Sequence, residues 1–268
     1  TAARYDSEVV VSATGAVVIH GDLNLAGSLL VSAGDDVRIH NTDLVAGSGQ
    51  RITINTAGDL LLGDAGLEAT SKNPMAVTIS ADRLVEFNVG GQVVVAADAL
   101  VFSEAADSSI RIASGKLDIM GALRAGARYN ATSGYGWSGS SGTVSITSNG
   151  IITLGGQGLD PTTFAPVTVG GTIASSGSVS ISAGKDALGI GISLSEKSSI
   201  TVDATGDGKF AAVAPGSLKL AASGDILLLG VVESKDAGSD VAITSDTLVY
   251  VDSFVKANDE LTIRGGAD

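Results

Sequence analysis

The side chains best suited to ligand contact are concentrated in one segment, residues 125–142, with the sequence AGARYNATSGYGWSGSSG. Tyr129, Tyr135 and Trp137 occur there among five glycines and four serines. Aromatic rings on an exposed loop can stack on sugars or contact a partner protein, because they combine apolar faces with polar edges. We therefore predict a binding site at these three residues and at Arg128, which adds a local positive charge. The alternative is that the rings pack against the protein's own surface.

A second candidate site is the acidic segment DATGDG at residues 203–208. Asp203 and Asp207 place carboxylates before a glycine, as in the first half of a calcium-binding loop. The twelfth position of such a loop would carry a bidentate Glu, but here it is Ala214. An ordinary Asp-Gly turn is therefore the interpretation that we favour, and we expect no other metal and no cofactor.

The composition excludes several classes of function. The chain has 268 residues, no cysteine and a formal net charge of −13. Such an acidic protein is not expected to bind nucleic acid or an anionic membrane surface, and without cysteine it has neither disulfides nor thiolate metal sites. No apolar run is long enough to insert into a membrane as a helix, and no Ser-His-Asp set or phosphate-binding loop indicates an enzyme. Thr1 begins neither a signal peptide nor an initiator sequence, so we expect a processed form or a fragment.

These candidate residues must be positioned by short strands that recur along the whole chain. Segments of the form apolar-x-apolar repeat at intervals of about 20 residues, which is typical of stacked repeats. Most are followed, after a Gly, Asp, Asn or Ser corner, by a second and a third short strand. We predict a single all-β domain over residues 1–268, a parallel β-helix (solenoid) of about 12 turns with three short strands per turn. The predicted first strands begin near Val9, Leu29, Ile52, Val77, Val93, Ile110, Val144, Val179, Ile200, Leu218, Val241 and Leu261.

The first two turns are the clearest, because VVIH at residues 17–20 recurs as VRIH at residues 37–40. If each interval of about 20 residues is one turn, Ile19 stacks on Ile39 inside the helix and His20 stacks on His40 outside it. Two stacked imidazoles could share a metal ion, but nothing supplies reliable further ligands. We therefore interpret the two histidines as a solvated structural ladder.

Two segments are too long for the repeat, residues 126–142 and residues 157–177. Both follow a predicted third strand and precede the next predicted first strand, in adjacent turns. We therefore expect two loop insertions that emerge side by side from the same corner of the helix.

The phrases SAGDDVRI (32–39), TAGDLLLG (56–63) and SGDILLLG (223–230) resemble the repeats of filamentous haemagglutinin-like large exoproteins and related bacterial surface adhesins. The resemblance extends over nearly the whole chain. It implies a right-handed parallel β-helix that is secreted or displayed on a bacterial cell surface and serves in adhesion or in the biofilm matrix. The implied partner is a glycan or a protein on the surface of a host or neighbouring cell.

We therefore expect a structural and adhesive shaft rather than an enzyme. End-to-end self-association is a further hypothesis, because terminal strands are unpaired edges. The alternative is a carbohydrate-active β-helix enzyme or a carbohydrate-binding module. Asn41-Thr42-Asp43 is similar to a motif of β-helical polysaccharide hydrolases, but the acidic pair Asp35-Asp36 precedes it instead of following it. A groove lined by charged side chains from successive turns would favour the enzyme, and a flat flank of Ser, Thr and Ala would favour the shaft.

Overall fold

The computed structural model describes residues 7–63, 77–130, 134–137, 141–159, 166–203 and 216–266. These residues form β-strands joined by turns and short loops, and none of them lies in a helix, which confirms the all-β prediction. The strands are β1 (Glu8–Ala13), β2 (Val17–His20), β3 (Leu23–Leu25), β4 (Ser28–Ala33), β5 (Val37–His40), β6 (Thr42–Ala46), β7 (Arg51–Thr56), β8 (Leu60–Leu62), β9 (Val77–Ala81), β10 (Leu84–Val89), β11 (Gln92–Val95), β12 (Ala99–Ser103), β13 (Ser109–Ser114), β14 (Lys116–Ile119), β15 (Ala122–Ala125), β16 (Ala127–Asn130), β17 (Gly134–Trp137), β18 (Thr143–Ser148), β19 (Ile152–Leu154), β20 (Gly156–Leu159), β21 (Pro166–Val169), β22 (Thr172–Ser175), β23 (Ser178–Ala183), β24 (Ile190–Leu194), β25 (Ser199–Val202), β26 (Ser217–Ala222), β27 (Asp225–Leu228), β28 (Val231–Ser234), β29 (Asp240–Ser245), β30 (Val249–Val251), β31 (Val255–Lys256) and β32 (Leu261–Arg264).

Three parallel sheets run along the molecule, and the chain passes from one sheet to the next at each corner. The first sheet has the order β1-β4-β7-β10-β13-β18-β23-β26-β29-β32, the second β2-β5-β8-β11-β14-β19-β24-β27-β30, and the third β3-β6-β9-β12-β15-β22-β25-β28-β31. Each strand pairs with its counterparts in the adjacent turns, which confirms a parallel β-helix with three strands per turn. We name the corners by the sheets that they connect. The first corner leads from the first sheet to the second, and the second corner leads from the second sheet to the third. The third corner leads from the third sheet to the first sheet of the next turn.

The core consists of aliphatic side chains stacked in ladders along the helix. Period-two alternation directs every second side chain of a strand inward, and the parallel register places equivalent residues of successive turns over one another. Ile19 pairs with Ile39 in this register, as predicted, and Ile39 is fully buried. Among the described residues, Phe87 in β10 is the one aromatic member of the hydrophobic core cluster, and the other members are Val, Ile, Leu and Ala.

Hydroxyl groups at the first corner join some of the turns to the one before them. Ser148 is the last inward residue of β18; its Oγ donates to the carbonyl oxygen of Gly115 at 3.2 Å and accepts the N–H of Gly150 at 3.3 Å. Ser245 in β29 repeats the arrangement, since its Oγ donates to Gly224 O at 2.8 Å. These serines satisfy backbone groups that a corner would otherwise leave without partners.

The acidic residues that follow the corner glycines have a structural role. Asp36 Oδ1 accepts the backbone N–H of Asp59 in the next turn at 3.0 Å, and Asp59 Oδ1 accepts that of Gln92 at 2.7 Å. The carboxylates therefore cap strand starts in successive turns, because a charged acceptor makes a strong hydrogen bond with an amide.

The described residues form fewer turns than the sequence predicts. The described residues form nine complete turns and the first strand of a tenth, rather than about 12 turns. Val77 and Ile200 lie in the third sheet and Val93 in the second, whereas β10 is a first strand that was not predicted. The reason is that inward-outward alternation is the same in all three sheets. It identifies a strand but not the sheet to which the strand belongs.

The second insertion also differs from its predicted place. β20 and β21 form an antiparallel hairpin between β19 and β22, so this hairpin leaves the helix at the second corner. Residues 172–175, predicted to be part of the insertion, form β22 and pair with β15 in the third sheet. The strand signal is weak there because β22 contains one large inward aliphatic residue, Ile173, and its other inward position holds the buried Ser175.

Candidate functional site

The predicted aromatic segment forms a β-hairpin at the third corner, between β15 and β18. Its strands β16 and β17 are antiparallel, with Tyr129 opposite Tyr135, Ala127 opposite Trp137 and Arg128 opposite Gly136. The structure therefore brings the four predicted site residues onto one two-stranded ladder. Because the second insertion leaves at a different corner, the aromatic hairpin does not emerge beside it.

Both ends of this hairpin are held by buried serines. On the entering side, Gly126 N donates to Ser103 O at 2.9 Å and to Ser108 Oγ at 3.2 Å. On the leaving side, Ser176 Oγ accepts the N–H of Gly142 at 3.0 Å. The hydroxyls of Ser108 and Ser176 are anchors that the sequence analysis did not single out. The one feature of the sequence that marks them is a Ser-Ser pair at the third corner, at residues 108–109 and again at residues 175–176.

The junction leaves no room for a side chain on the first of these glycines. Gly126 has a φ of +74°, and a Cβ added to it would overlap the Oγ of Ser176. A positive φ and a close approach both require glycine here. The turn that starts the hairpin is therefore fixed by the packing of the next solenoid turn.

The outer face of the third sheet is covered near the hairpin. Phe102 lies at an outward position of β12, opposite Arg124, and is still only 4% exposed. Ala174, at the equivalent outward position of β22, is 7% exposed. β16 lies against β12. The base of the hairpin therefore lies against the flank of the solenoid.

The two histidines form the predicted outward ladder. Their ring centroids are 4.9 Å apart, with the planes tilted by 37°, and His20 Nδ1 lies 3.3 Å from His40 O. The nearby carboxylate of Asp22 accepts the N–H of Asp43 at 3.0 Å, so it caps a corner. Within the described ranges no group of three or more His, Asp or Glu side chains could hold a metal ion.

The calcium candidates are described only in part. Asp203 is 6% exposed, and its carboxylate lies 3.5 Å from the ammonium of Lys235. Lys235 also lies 3.9 Å from the carboxylate of Glu233. Asp207 lies outside the described residues, so the calcium loop stays a prediction, while Asp203 has a structural ion pair.

One outward row of the first sheet consists mainly of small side chains. Most of its residues carry hydroxyl, amide or methyl groups, and Asn88 Nδ2 donates to Asn55 Oδ1 at 2.9 Å across adjacent turns. The residues in this row are Ser12, Ser32, Asn55, Asn88, Ala113, Thr147, Ser182, Ala221, Thr244 and, at its end, Arg264.

No protein-family model, curated protein or solved structure matches this chain significantly. The chemistry of its own surfaces is therefore the basis for any functional conclusion. In the part of the chain that the structure describes, no helix is long and apolar enough to cross a membrane.

Proposed function

We propose that this protein is a structural and adhesive shaft segment of a secreted or surface-displayed bacterial adhesin or extracellular matrix fibre. The aromatic hairpin at residues 126–142 would be its contact site for a glycan or a protein on another surface. The observation that carries this proposal is an aromatic-rich hairpin fixed at both ends on a stiff stack of parallel turns. A rigid base lowers the entropy that is lost when a loop binds its ligand.

One outward row of the first sheet supports a shaft rather than an enzyme. From Ser12 to Thr244 this row carries no charged side chain, whereas the adjacent outward row contains the pair Glu86 and Arg111. A polysaccharide-cleaving β-helix would need clustered acidic or basic groups to transfer protons. A flat row of small polar side chains instead keeps the flank soluble without providing such groups.

A glycan array tests the proposal with wild-type protein and the Trp137→Ala variant. Removing an aromatic hot spot costs about 2 kcal/mol or more of binding free energy, so we expect the affinity to fall about thirtyfold or more. The matched control is Tyr250→Ala, because Tyr250 is an aromatic residue that is 48% exposed at the far end of the solenoid.

The control variant should retain wild-type binding. Unchanged binding by Trp137→Ala together with a lower melting temperature would show that the indole packs instead of contacting a ligand. That result would end the glycan-binding part of the proposal. If the wild type binds no glycan, the same pair of variants is applied to binding of intact cells.

Self-association through the ends is a second candidate function, favoured by exposed core positions in the terminal strands. Leu261 and Ile263 continue the inward ladders of the first sheet in β32, yet they are 45% and 42% exposed. Val9, the equivalent residue in β1, is 42% exposed. A further turn from a second copy would bury these side chains and pair the free strand edges.

A further inference from the structure

A recess at the third corner lies where the chain enters the first sheet in its first four turns. It has a volume of about 490 Å³ and is lined by side chains that precede or begin β1, β4, β7 and β10. Among the described residues that line it, Arg51 and Arg83 are the basic side chains and Glu8 is the acidic one. Ser28 and Gln50 supply a hydroxyl and a carboxamide.

The guanidinium groups in this recess are available to a ligand. Arg51 has a side chain that is 60% exposed and a single weak ion pair, in which its guanidinium lies 3.7 Å from the carboxylate of Glu8. Such an exposed pair contributes little to stability. Among the described residues, nothing forms a hydrogen bond or an ion pair with the guanidinium of Arg83. The nearest acidic neighbour in sequence, Asp82, accepts the backbone N–H of Gly49 at 2.6 Å.

The polar side chains between the arginines are already oriented. Ser28 Oγ donates to Gln50 Oε1 at 2.8 Å and accepts the N–H of Arg51 at 3.3 Å. These bonds hold the carboxamide of Gln50 in place through its oxygen. Among the described residues its NH₂ group has no hydrogen-bond partner. The recess therefore presents fixed donors before any ligand arrives, which reduces the entropic cost of binding.

The lining favours a hydroxylated anion over a peptide. β4, β7 and β10, which carry Ser28, Arg51 and Leu84, are each paired on both sides in the first sheet, so these three strands offer no free edge to an added peptide strand. Leu84 is the one apolar side chain among the described residues of the lining, so these residues form no pocket for an apolar anchor. A guanidinium fork fits a carboxylate in a bidentate manner, and amides and hydroxyls fit sugar hydroxyls.

The arrangement of the two arginines indicates an extended ligand. Leu84 pairs with Arg51, so Arg83 and Arg51 lie on adjacent turns, which are about 4.8 Å apart. The two guanidinium groups can therefore bind different carboxylates of one chain. We propose that this recess binds a carboxylate-bearing polysaccharide, with Arg51 and Arg83 on its carboxylates and with Gln50 on its hydroxyls.

Binding of alginate oligosaccharides, measured by isothermal titration calorimetry, tests this proposal, with neutral dextran oligosaccharides and poly-glutamate as comparison ligands. We expect the wild type to bind alginate and to bind neither comparison ligand. Arg51→Gln and Arg83→Gln should each weaken binding about tenfold, because each removes a charge-assisted pair of hydrogen bonds. The control is Arg38→Gln, since Arg38 is equally exposed at 61% and lies 3.5 Å from Asp36.

Each outcome decides the proposal. Alginate binding that falls with the first two variants and not with Arg38→Gln supports it. No alginate binding by the wild type, or an equal loss in Arg38→Gln, overturns it, and equal binding of poly-glutamate would identify an acidic peptide as the ligand instead. Trp137→Ala should leave alginate binding unchanged, so failure at the recess and failure at the hairpin can be told apart.

Discussion

At the corners, individual glycines are needed because each corner lies directly on the corner of the turn before it. A Cβ added to Gly58 would lie 2.5 Å from Asp36 Oδ1 and 2.8 Å from Asp36 N. Gly15 occupies the equivalent position in the first described turn, and a Cβ there would meet nothing within 4 Å. The two glycines therefore differ in whether the corner of a preceding turn lies against them.

This comparison gives a test at the residue scale. Gly58→Ala should lower the free energy of unfolding by about 1–3 kcal/mol, the usual cost of overpacking. Gly15→Ala should change it by less than about 0.5 kcal/mol, as expected for an unhindered surface site. Urea denaturation of the two variants measures both values, and an equal loss in both would contradict the role of stacking.

At the scale of elements, the aromatic hairpin depends on the turns on either side of it. Its leaving end is bound by Ser176, which belongs to the next solenoid turn and is fully buried. Its entering end is bound by Ser108, which precedes β13 in the turn before. The two anchors keep the hairpin on a defined base, which a contact site needs if its residues are to stay in register.

We expect Ser176→Ala to loosen this base. The change leaves the N–H of Gly142 without its acceptor, which costs about 1–3 kcal/mol when the group is buried. Hydrogen exchange should show faster exchange at Gly142, with little change in the core strands. Ser182→Ala is the control because Ser182 is an exposed serine in β23. In this variant the amide of Gly142 should exchange at the wild-type rate. Slow exchange at Gly142 in Ser176→Ala would show that the anchor is dispensable.

At the scale of the whole molecule, the solenoid is closed along its sides and open at its described ends. The interior side chains are fully buried in the central turns, whereas Val9, Leu261 and Ile263 are exposed at inward positions. Each turn of a solenoid is stabilised mainly by its neighbours, so the terminal turns lack half of their stabilising contacts.

Light scattering over a range of concentrations tests association through these ends. We expect the average mass of the wild type to rise with concentration, and Leu261→Glu to suppress the rise because it places a charge on the stacking surface. Leu188→Glu is the control, since Leu188 is an exposed apolar residue (82%) on the side of the solenoid. A monomer at every concentration would refute this hypothesis.

The sequence by itself determined the repeat and the inward residues of most strands, although not of β10 or β22, because alternation and the interval of about 20 residues are local properties. Ile19 over Ile39 and His20 over His40 could be predicted from the match between VVIH and VRIH. Only the tertiary structure decided that Val77 belongs to the third sheet, because alternation is identical in all three sheets. It also decided that Arg51 and Arg83 share one recess. These arginines are far apart in the sequence, whereas the stacking of turns makes them neighbours.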